Sequence, residues 1–426
     1  MDNSQQFAVE LFEEGANLFI TGGAGVGKSH FIRTISKSNP FKPVIITSTT
    51  GISAMLVGGR TIHSWSGVGM FDESKPFDVY FQRIKKNKYL TAAWKSTKCL
   101  VIDEISMMHP AFLDLLNNLA KTIRANNKPF GGIQLILVGD FYQLPPILNK
   151  DDETKINSEQ KDNKNKKHFC FESSCWNELN LVPVCFTHIY RQNEKDLMDV
   201  LNKVRIGNID TQVVSYLQDL TKNKPTDELY THVYPTKRKV SEYNQLMLDK
   251  LPDDIREFKA EVNFKSTFNT TFFNFPKDTL IDETLKIKKG CFVMCIFNID
   301  FDSGIVNGSQ GIIEDFHKNN GYPIVKFSNG VTRVMEPHTW QFEGFSIEQI
   351  PLIVAYSVTV HKMQGSSIEK LTIDIGKHIF ECGQSYVALS RCTNSKHLHV
   401  ASFSPEKIRV NEKVSEFYKN TFNLKN

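Results

Sequence analysis

No apolar run in this chain approaches the ~20 residues that a membrane-spanning helix needs. The eight cysteines lack a zinc framework. Cys170 with Cys175, and Cys291 with Cys295, miss the C-x-x-C spacing, and His397 and His399 have no Cys or His partner close in sequence. They read as buried thiols and surface imidazoles. Charge of one sign is not in large excess: 51 basic against 47 acidic residues leave +4. That balance permits nucleic-acid binding but does not argue for it, because only a local basic patch would. The opening residues, Met1-Asp2-Asn3-Ser4-Gln5-Gln6, have neither the apolar stretch of a secretory signal nor the arginines of a transit peptide. Repeats of solenoid period are lacking too. A soluble, intracellular product is expected, with nucleus, cytoplasm and viral replication site left open.

What is there is an ordinary globular balance, 40% hydrophobic and 23% charged, in 426 residues. This length allows two to four compact units. Leu18-Phe19-Ile20-Thr21 reads as a strand, followed by a glycine-rich turn and a helix from Lys28 to about Ile35. Val44 to Thr47, Lys98 to Ile102 and Gln134 to Val138 are further apolar strands separated by helical segments. That alternation predicts a parallel sheet covered on both faces, an α/β fold. Gly67 to Lys98, basic around Lys85-Lys86-Asn87-Lys88, is either a small subdomain or a solvated helical face. Asn149 to Lys167 is polar and aperiodic, a loop, an insertion or a link between units.

After Val182 a second set of elements begins. Leu229 to Tyr234 and Leu352 to Ser357 look like strands of a second sheet. Between them, from about 250 to 345, short strands (Cys291 to Phe297, Gln310 to Phe316, Ile324 to Phe327, Val331 to Met335) are punctuated by Asn307-Gly308, Asn320-Gly321 and Asn329-Gly330. Asn-Gly between apolar runs signals a hairpin. A small β-barrel inserted into the second unit is expected.

The chemistry begins with Gly22-Gly23-Ala24-Gly25-Val26-Gly27-Lys28-Ser29, a G-x-x-x-x-G-K-S phosphate loop between a strand and a helix. Its backbone N–H groups turn toward a β-phosphate, Lys28 reaches the β- and γ-phosphates, and the Ser29 hydroxyl suits Mg²⁺. Asp103-Glu104 end the third strand. An acid there can hold Mg²⁺ and its neighbour can polarise the attacking water, so Asp103 is assigned to the metal and Glu104 to the base. Gly139-Asp140-Phe141-Tyr142-Gln143-Leu144-Pro145-Pro146 ends the fourth strand and places Gln143 where it can sense a γ-phosphate. Phosphoryl transfer also needs a positive group, such as an arginine finger. Arg191 and Arg391 stand out in the second half, although each, read alone, fits a surface ion pair better.

The motif series resembles superfamily-one helicases of the PIF type (the petite integration frequency family), from end to end. The motifs that carry it are Phe130-Gly131-Gly132 through Pro146, Val101 to Met108, Thr47 to Ala54, Gly59 to Gly67, Tyr190-Arg191-Gln192, Val360 to Ser367 and Tyr386 to Arg391. The resemblance implies two RecA-like parallel-sheet domains, 1–180 and 181–426. It adds a wedge insertion at about 67–98 in the first and an SH3-like β-barrel insertion at about 250–345 in the second. It implies ATP and Mg²⁺ held by Gly23, Ala24, Gly25, Val26, Gly27, Lys28, Ser29, His30 and Gly365, with Gln6 reading the adenine. Catalytic roles fall to Lys28, Asp103, Glu104, Gln143, Arg191 and Arg391, with Ser29 and Asp103 on the metal. Single-stranded DNA would be met by Thr49, Gly51, His63, Trp65, Phe141, Thr359, His361, Lys362 and Ser366. Backbone and hydroxyl groups suit phosphates and rings suit base stacking, although Trp65 is equally a core residue. The implied activity is ATP-dependent, 5′-to-3′ DNA unwinding in replication, repair or recombination, by a monomer on single-stranded and forked DNA. The alternative is a nucleotide-gated clamp or remodeller that does not separate strands.

Overall fold

The computed structural model describes residues 1–38, 43–69, 71–146, 168–191, 194–225, 229–234, 236–264, 273, 275–276, 279–300, 302–342 and 344–423, with only the backbone at 38 and 52. The polar tract 149–167 lies outside these residues. The chain forms two compact units, Met1–Tyr190 with Val410–Asn426, and Arg191–Arg409.

The first unit is built on six strands: β1 Leu18–Gly22, β2 Val44–Ser48, β3 Arg60–Thr61, β4 Cys99–Asp103, β5 Gln134–Val138 and β6 Val182–Phe186. They lie in the order β3-β2-β4-β5-β1-β6, and every pairing is parallel. β1, β4 and β5 are buried along their whole length, as parallel strands covered on both faces must be. The helices are α1 Asn3–Glu13, α2 Lys28–Ser38, α3 Gly51–Leu56, α4 Ile62–Ser66, α5 Phe77–Lys86, α6 Lys88–Ser96 and α7 Pro110–Arg124.

The expected first domain, 1–180, is too short at one end and incomplete at the other. β6 pairs with β1 from Leu18↔Val182 to Gly22↔Phe186, which carries the first unit to Tyr190. The chain then returns to it at Val410, and a helix at Glu412–Phe422 packs there. Phe417 stacks on Phe171 (4.2 Å, 10°) and meets Phe19, Phe141 and Trp176 edge-on.

Segment 67–98 is a pair of helices, not a bare solvated face. Tyr80 and Ile84 of α5 and Trp94 of α6 are buried in the cluster that holds Phe112, Leu113 and Leu116 of α7. The Trp94 indole donates to Ser66 O at 3.0 Å, which fixes α6 against the end of α4.

The second unit contains a four-stranded parallel sheet, ordered Ser357–Thr359, Thr231–Tyr234, Leu371–Ile375, Leu398–Phe403. It also carries antiparallel strands between residues 256 and 354. Asn320-Gly321 and Asn329-Gly330 form turns between antiparallel neighbours, with Gly φ of +73° and +86°. These are left-handed values that favour glycine. Asn307-Gly308 instead sits in a longer connection, Ile296 to Ser309. The run Leu352 to Ser357 is not one strand. Leu352–Val354 pairs antiparallel with Phe292–Cys295, and Ser357–Thr359 joins the parallel sheet. Ala355 and Tyr356 are where the backbone changes partners.

Two aromatic residues expected to stack on bases belong instead to the core of the first unit. Trp65 is 1% exposed and lies 4.5 Å from the Trp94 ring. Phe141 is 2% exposed and has Phe19, Phe171, Trp176 and Phe417 around it. A base needs an open ring face, and neither residue offers one. Truncating either to Ala is expected to destabilise the protein by about 3–5 kcal/mol, the usual cost for a buried large aromatic. Denaturant unfolding of Trp65→Ala and Phe141→Ala measures it, and an unchanged midpoint would contradict the packing.

Candidate functional site

The phosphate loop leaves β1 at Gly22 and enters α2 at Lys28. Gly22 has φ +140°, and a Cβ there would lie 2.3 Å from Phe186 O. Gly27 has φ +86°, and its Cβ would lie 2.5 Å from Gln5 Nε2. At both positions the backbone passes too close to a neighbour for a side chain. Gly23, Gly25, Lys28 and Ser29 are half-buried, Ala24 and Val26 are buried, and His30 is exposed in the first turn of α2. Lys28 Nζ donates to Gly22 O (2.7 Å) and Gly23 O (2.8 Å), which folds its ammonium over the loop.

Asp103 is the last residue of β4, two strands from β1. Burial first, then the charge of Glu104, raise its pKa to about 7, while Lys28 pulls the other way. A carboxyl so placed gains a great deal from a cation. Glu104 has φ +53°, a left-handed conformation uncommon for a residue with a side chain and frequent at functional sites. Two bonds from Thr49 hold this turn: its N–H donates to Asp103 O (3.2 Å) and its hydroxyl to Glu104 O (2.9 Å). Thr49 is 8% exposed, so the hydroxyl expected on a DNA phosphate is turned inward and braces the acidic pair. Gly51 is buried at the start of α3.

β5 ends beside β1, and Gly139 N–H donates to Ile20 O at 3.0 Å. Asp140 then closes a turn: Tyr142 N–H donates to Asp140 Oδ1 (3.2 Å) and Gln143 N–H to Asp140 O (2.9 Å). Gln143 is thus held in a rigid turn at the same sheet edge as the phosphate loop and Asp103. This carboxyl edge is where open parallel sheets bind ligands.

Gln5, not Gln6, faces the phosphate loop. Gln5, Ala8 and Phe12 form the buried face of α1, and Gln6 is exposed about 100° further round the helix. Gln5 is 1% exposed, and its Nε2 donates to Val26 O at 3.1 Å. Its Oε1 is buried with no hydrogen-bond partner among the described residues, an acceptor that suits the amino group of a purine. Tyr190, half exposed, lies over the same loop: its N–H donates to Gly25 O (2.8 Å) and its ring edge is 3.5 Å from a Cβ built on Gly27. In the sequence it stands out only as part of Tyr190-Arg191-Gln192. An aromatic residue just before Arg191 was the available signal.

In the second unit, Arg191 and Arg391 meet at one residue. Arg191 Nη1 donates to Ser390 O (3.4 Å), and Arg391 Nη2 donates to Ser390 Oγ (2.8 Å). Arg391 is 2% exposed and also donates to Val387 O (2.9 Å) and Ser366 O (3.5 Å), one residue past Gly365 (φ +85°). Arg391 is thus a buried residue rather than a surface one. Ser366 is itself buried, and its hydroxyl donates to Met363 O at 2.7 Å, so it too is turned away from an incoming phosphate.

Thr359 is 3% exposed and its hydroxyl accepts from the Lys362 N–H at 3.3 Å, so it too is turned inward, whereas Lys362 is half-buried. Both line a cavity of about 710 Å³ with Lys237, Asn244 and Phe273. His361 is half-buried, and its pKa is lowered by burial and then by Lys237. His63, in the first unit, has one ring face covered by Phe112 (4.5 Å, 18°).

Phosphate loop, acidic pair and Gln143 turn along one parallel-sheet edge define a P-loop nucleotide-binding protein with RecA-like sheets. Residues 4–215 match the model of the PIF1-like helicases and residues 274–316 that of the DNA helicase Pif1 2B domain. The chain is 33% identical to the ATP-dependent DNA helicase PIF1 of Xenopus laevis over 98% of its own length and 64% of that protein's. It is 33% identical to the Pif1 helicase of Candida albicans in its crystal structure, covering 99% of each chain with a TM-score of 0.77. A Bacteroides Pif1 helicase in complex with ADP-AlF3 and single-stranded DNA matches at 29% identity and TM-score 0.71, over 99% of this chain and 97% of that one. The chain belongs to the PIF1-like helicase family.

Nucleotide titration distinguishes the two glutamines. Gln5→Ala is expected to weaken ATP binding several-fold, and Gln6→Ala to leave it unchanged. The reverse order would contradict the facing of α1.

Proposed function

We propose that the chain is an ATP-dependent DNA helicase that moves 5′ to 3′ along single-stranded DNA. The observation that carries this reading is the meeting of phosphate loop, Asp103-Glu104 and the Asp140–Gln143 turn at the ends of β1, β4 and β5. The Bacteroides relative, crystallised with a nucleotide analogue and single-stranded DNA, supports it. The polarity rests on family likeness.

ATP is the substrate. Its adenine fits between the open acceptor of Gln5 and the ring of Tyr190, and its phosphates fit the loop from Gly23 to Ser29. Lys28 exchanges the carbonyls of Gly22 and Gly23 for phosphate oxygens. Gln143 contacts the γ-phosphate, and Glu104 accepts the proton of the attacking water. Arg191 and Arg391 supply the positive charge that phosphoryl transfer requires. Loss of the γ-phosphate removes these contacts, which is how a nucleotide biases a two-state switch.

Mg²⁺ fits the same residues. Among the described residues no group of three or more His, Cys, Asp or Glu could cage a metal. Mg²⁺ commonly takes one or two carboxylates and completes its shell with water and phosphates, and Asp103 with the Ser29 hydroxyl offers such a pair. The ion would neutralise charge on the transferring phosphoryl.

On the DNA side, Lys362, half-buried at the cavity, is the best placed of the expected residues. The antiparallel strands of the second unit are assigned to an SH3-like barrel, which the 2B-domain match supports. The helix pair α5–α6 is assigned to the wedge. One copy is proposed to suffice, since each chain carries both parallel-sheet units.

ATP hydrolysis with and without single-stranded DNA tests the proposal. Lys28→Ala is expected to abolish turnover while leaving DNA binding, and Glu104→Gln to keep ATP binding but slow hydrolysis at least ~100-fold, in line with loss of a general base. Wild-type turnover in either variant would refute the corresponding assignment.

A further inference from the structure

We infer that Tyr418 is a positioning residue that sets the Gln143 turn against the phosphate loop. The inference rests on the proposed ATP-driven reading. Tyr418 sits on the 412–422 helix, more than 270 residues from either motif, and is 4% exposed. Its hydroxyl meets both. It bonds the Thr21 hydroxyl at 2.7 Å, accepts from the Phe141 N–H at 3.1 Å and donates to Asp140 Oδ1 at 3.3 Å. One hydroxyl has one proton to give and two lone pairs. With Asp140 taking the proton, Phe141 and Thr21 fill the two acceptor positions.

The partners are well chosen for transmission. Thr21, fully buried, immediately precedes Gly22, where the phosphate loop begins. Asp140 is the residue whose carboxylate and carbonyl close the turn onto Tyr142 and Gln143. The Tyr142 ring also stacks on the Tyr418 ring at 4.6 Å and 10°. A shift at the start of the phosphate loop is therefore passed to the Gln143 turn through one buried oxygen. The helix itself is anchored independently of that oxygen, by Phe417 among the aromatic rings and by Lys413 bonded to Glu172 at 2.7 Å. Removing the oxygen alone should therefore leave the helix in place.

Tyr418→Phe keeps the ring and its stacking and removes only that oxygen. ATP hydrolysis with saturating single-stranded DNA is measured for wild type, Tyr418→Phe, Gln143→Ala and the double variant, with melting temperatures alongside. The expected result is a kcat about 10-fold lower in Tyr418→Phe with KM within about 2-fold, the pattern of a group that acts on the transition state rather than on binding. In the Gln143→Ala background the same substitution should change kcat less than about 2-fold, because the two act as one unit. An unchanged kcat in Tyr418→Phe, or a loss that multiplies that of Gln143→Ala, would overturn the inference while leaving the proposed activity standing. A wild-type chain that hydrolyses no ATP would overturn both.

Discussion

The structure of the first unit depends on a parallel sheet whose strands end together. Each of β1, β4 and β5 is apolar and buried along its length, and each releases its backbone at the same edge. The phosphate loop, Asp103 and the Gln143 turn collect there, at the carboxyl edge where open parallel sheets bind ligands. The edge then holds charge that burial makes costly. Asp103, pushed up to about 7, is the clearest sign, and Lys28 opposes it from the phosphate loop.

Residues expected on DNA face inward in each unit for local reasons. Thr49 braces Glu104 in its left-handed turn. Phe141 seals the underside of the Gln143 turn, and Ser366 receives Arg391 on its carbonyl. Lys362, by contrast, is half-buried and borders a cavity. The motifs therefore mix ligand contacts with internal braces, and a motif match does not say which is which.

Much of the first unit was legible in sequence for a physical reason. A strand buried on both faces must be a short apolar run, and β1, β2, β4 and β5 each fall within a residue of the runs that read as strands. The phosphate loop, the acidic pair and two of the three Asn-Gly turns, at 320–321 and 329–330, carry local chemistry that spacing reveals. What escaped depends on facing or on distance. Gln5 and Gln6 differ only in which way α1 turns, a phase set by Ala8 and Phe12. The run from Leu352 to Ser357 is apolar throughout, and nothing in it marks where the chain leaves one sheet for another. Tyr418 sits in no motif, and its partners are brought to it only by the return of the chain to the first unit.

The central claim is that this ATP site drives strand separation and not merely a grip on DNA. Forked duplexes with a single 5′ or a single 3′ tail, incubated with the protein with and without ATP, test it most directly. The account predicts separation only with ATP and only from the 5′-tailed substrate. ATP-dependent binding without separation of either substrate would contradict it and identify a nucleotide-gated clamp instead.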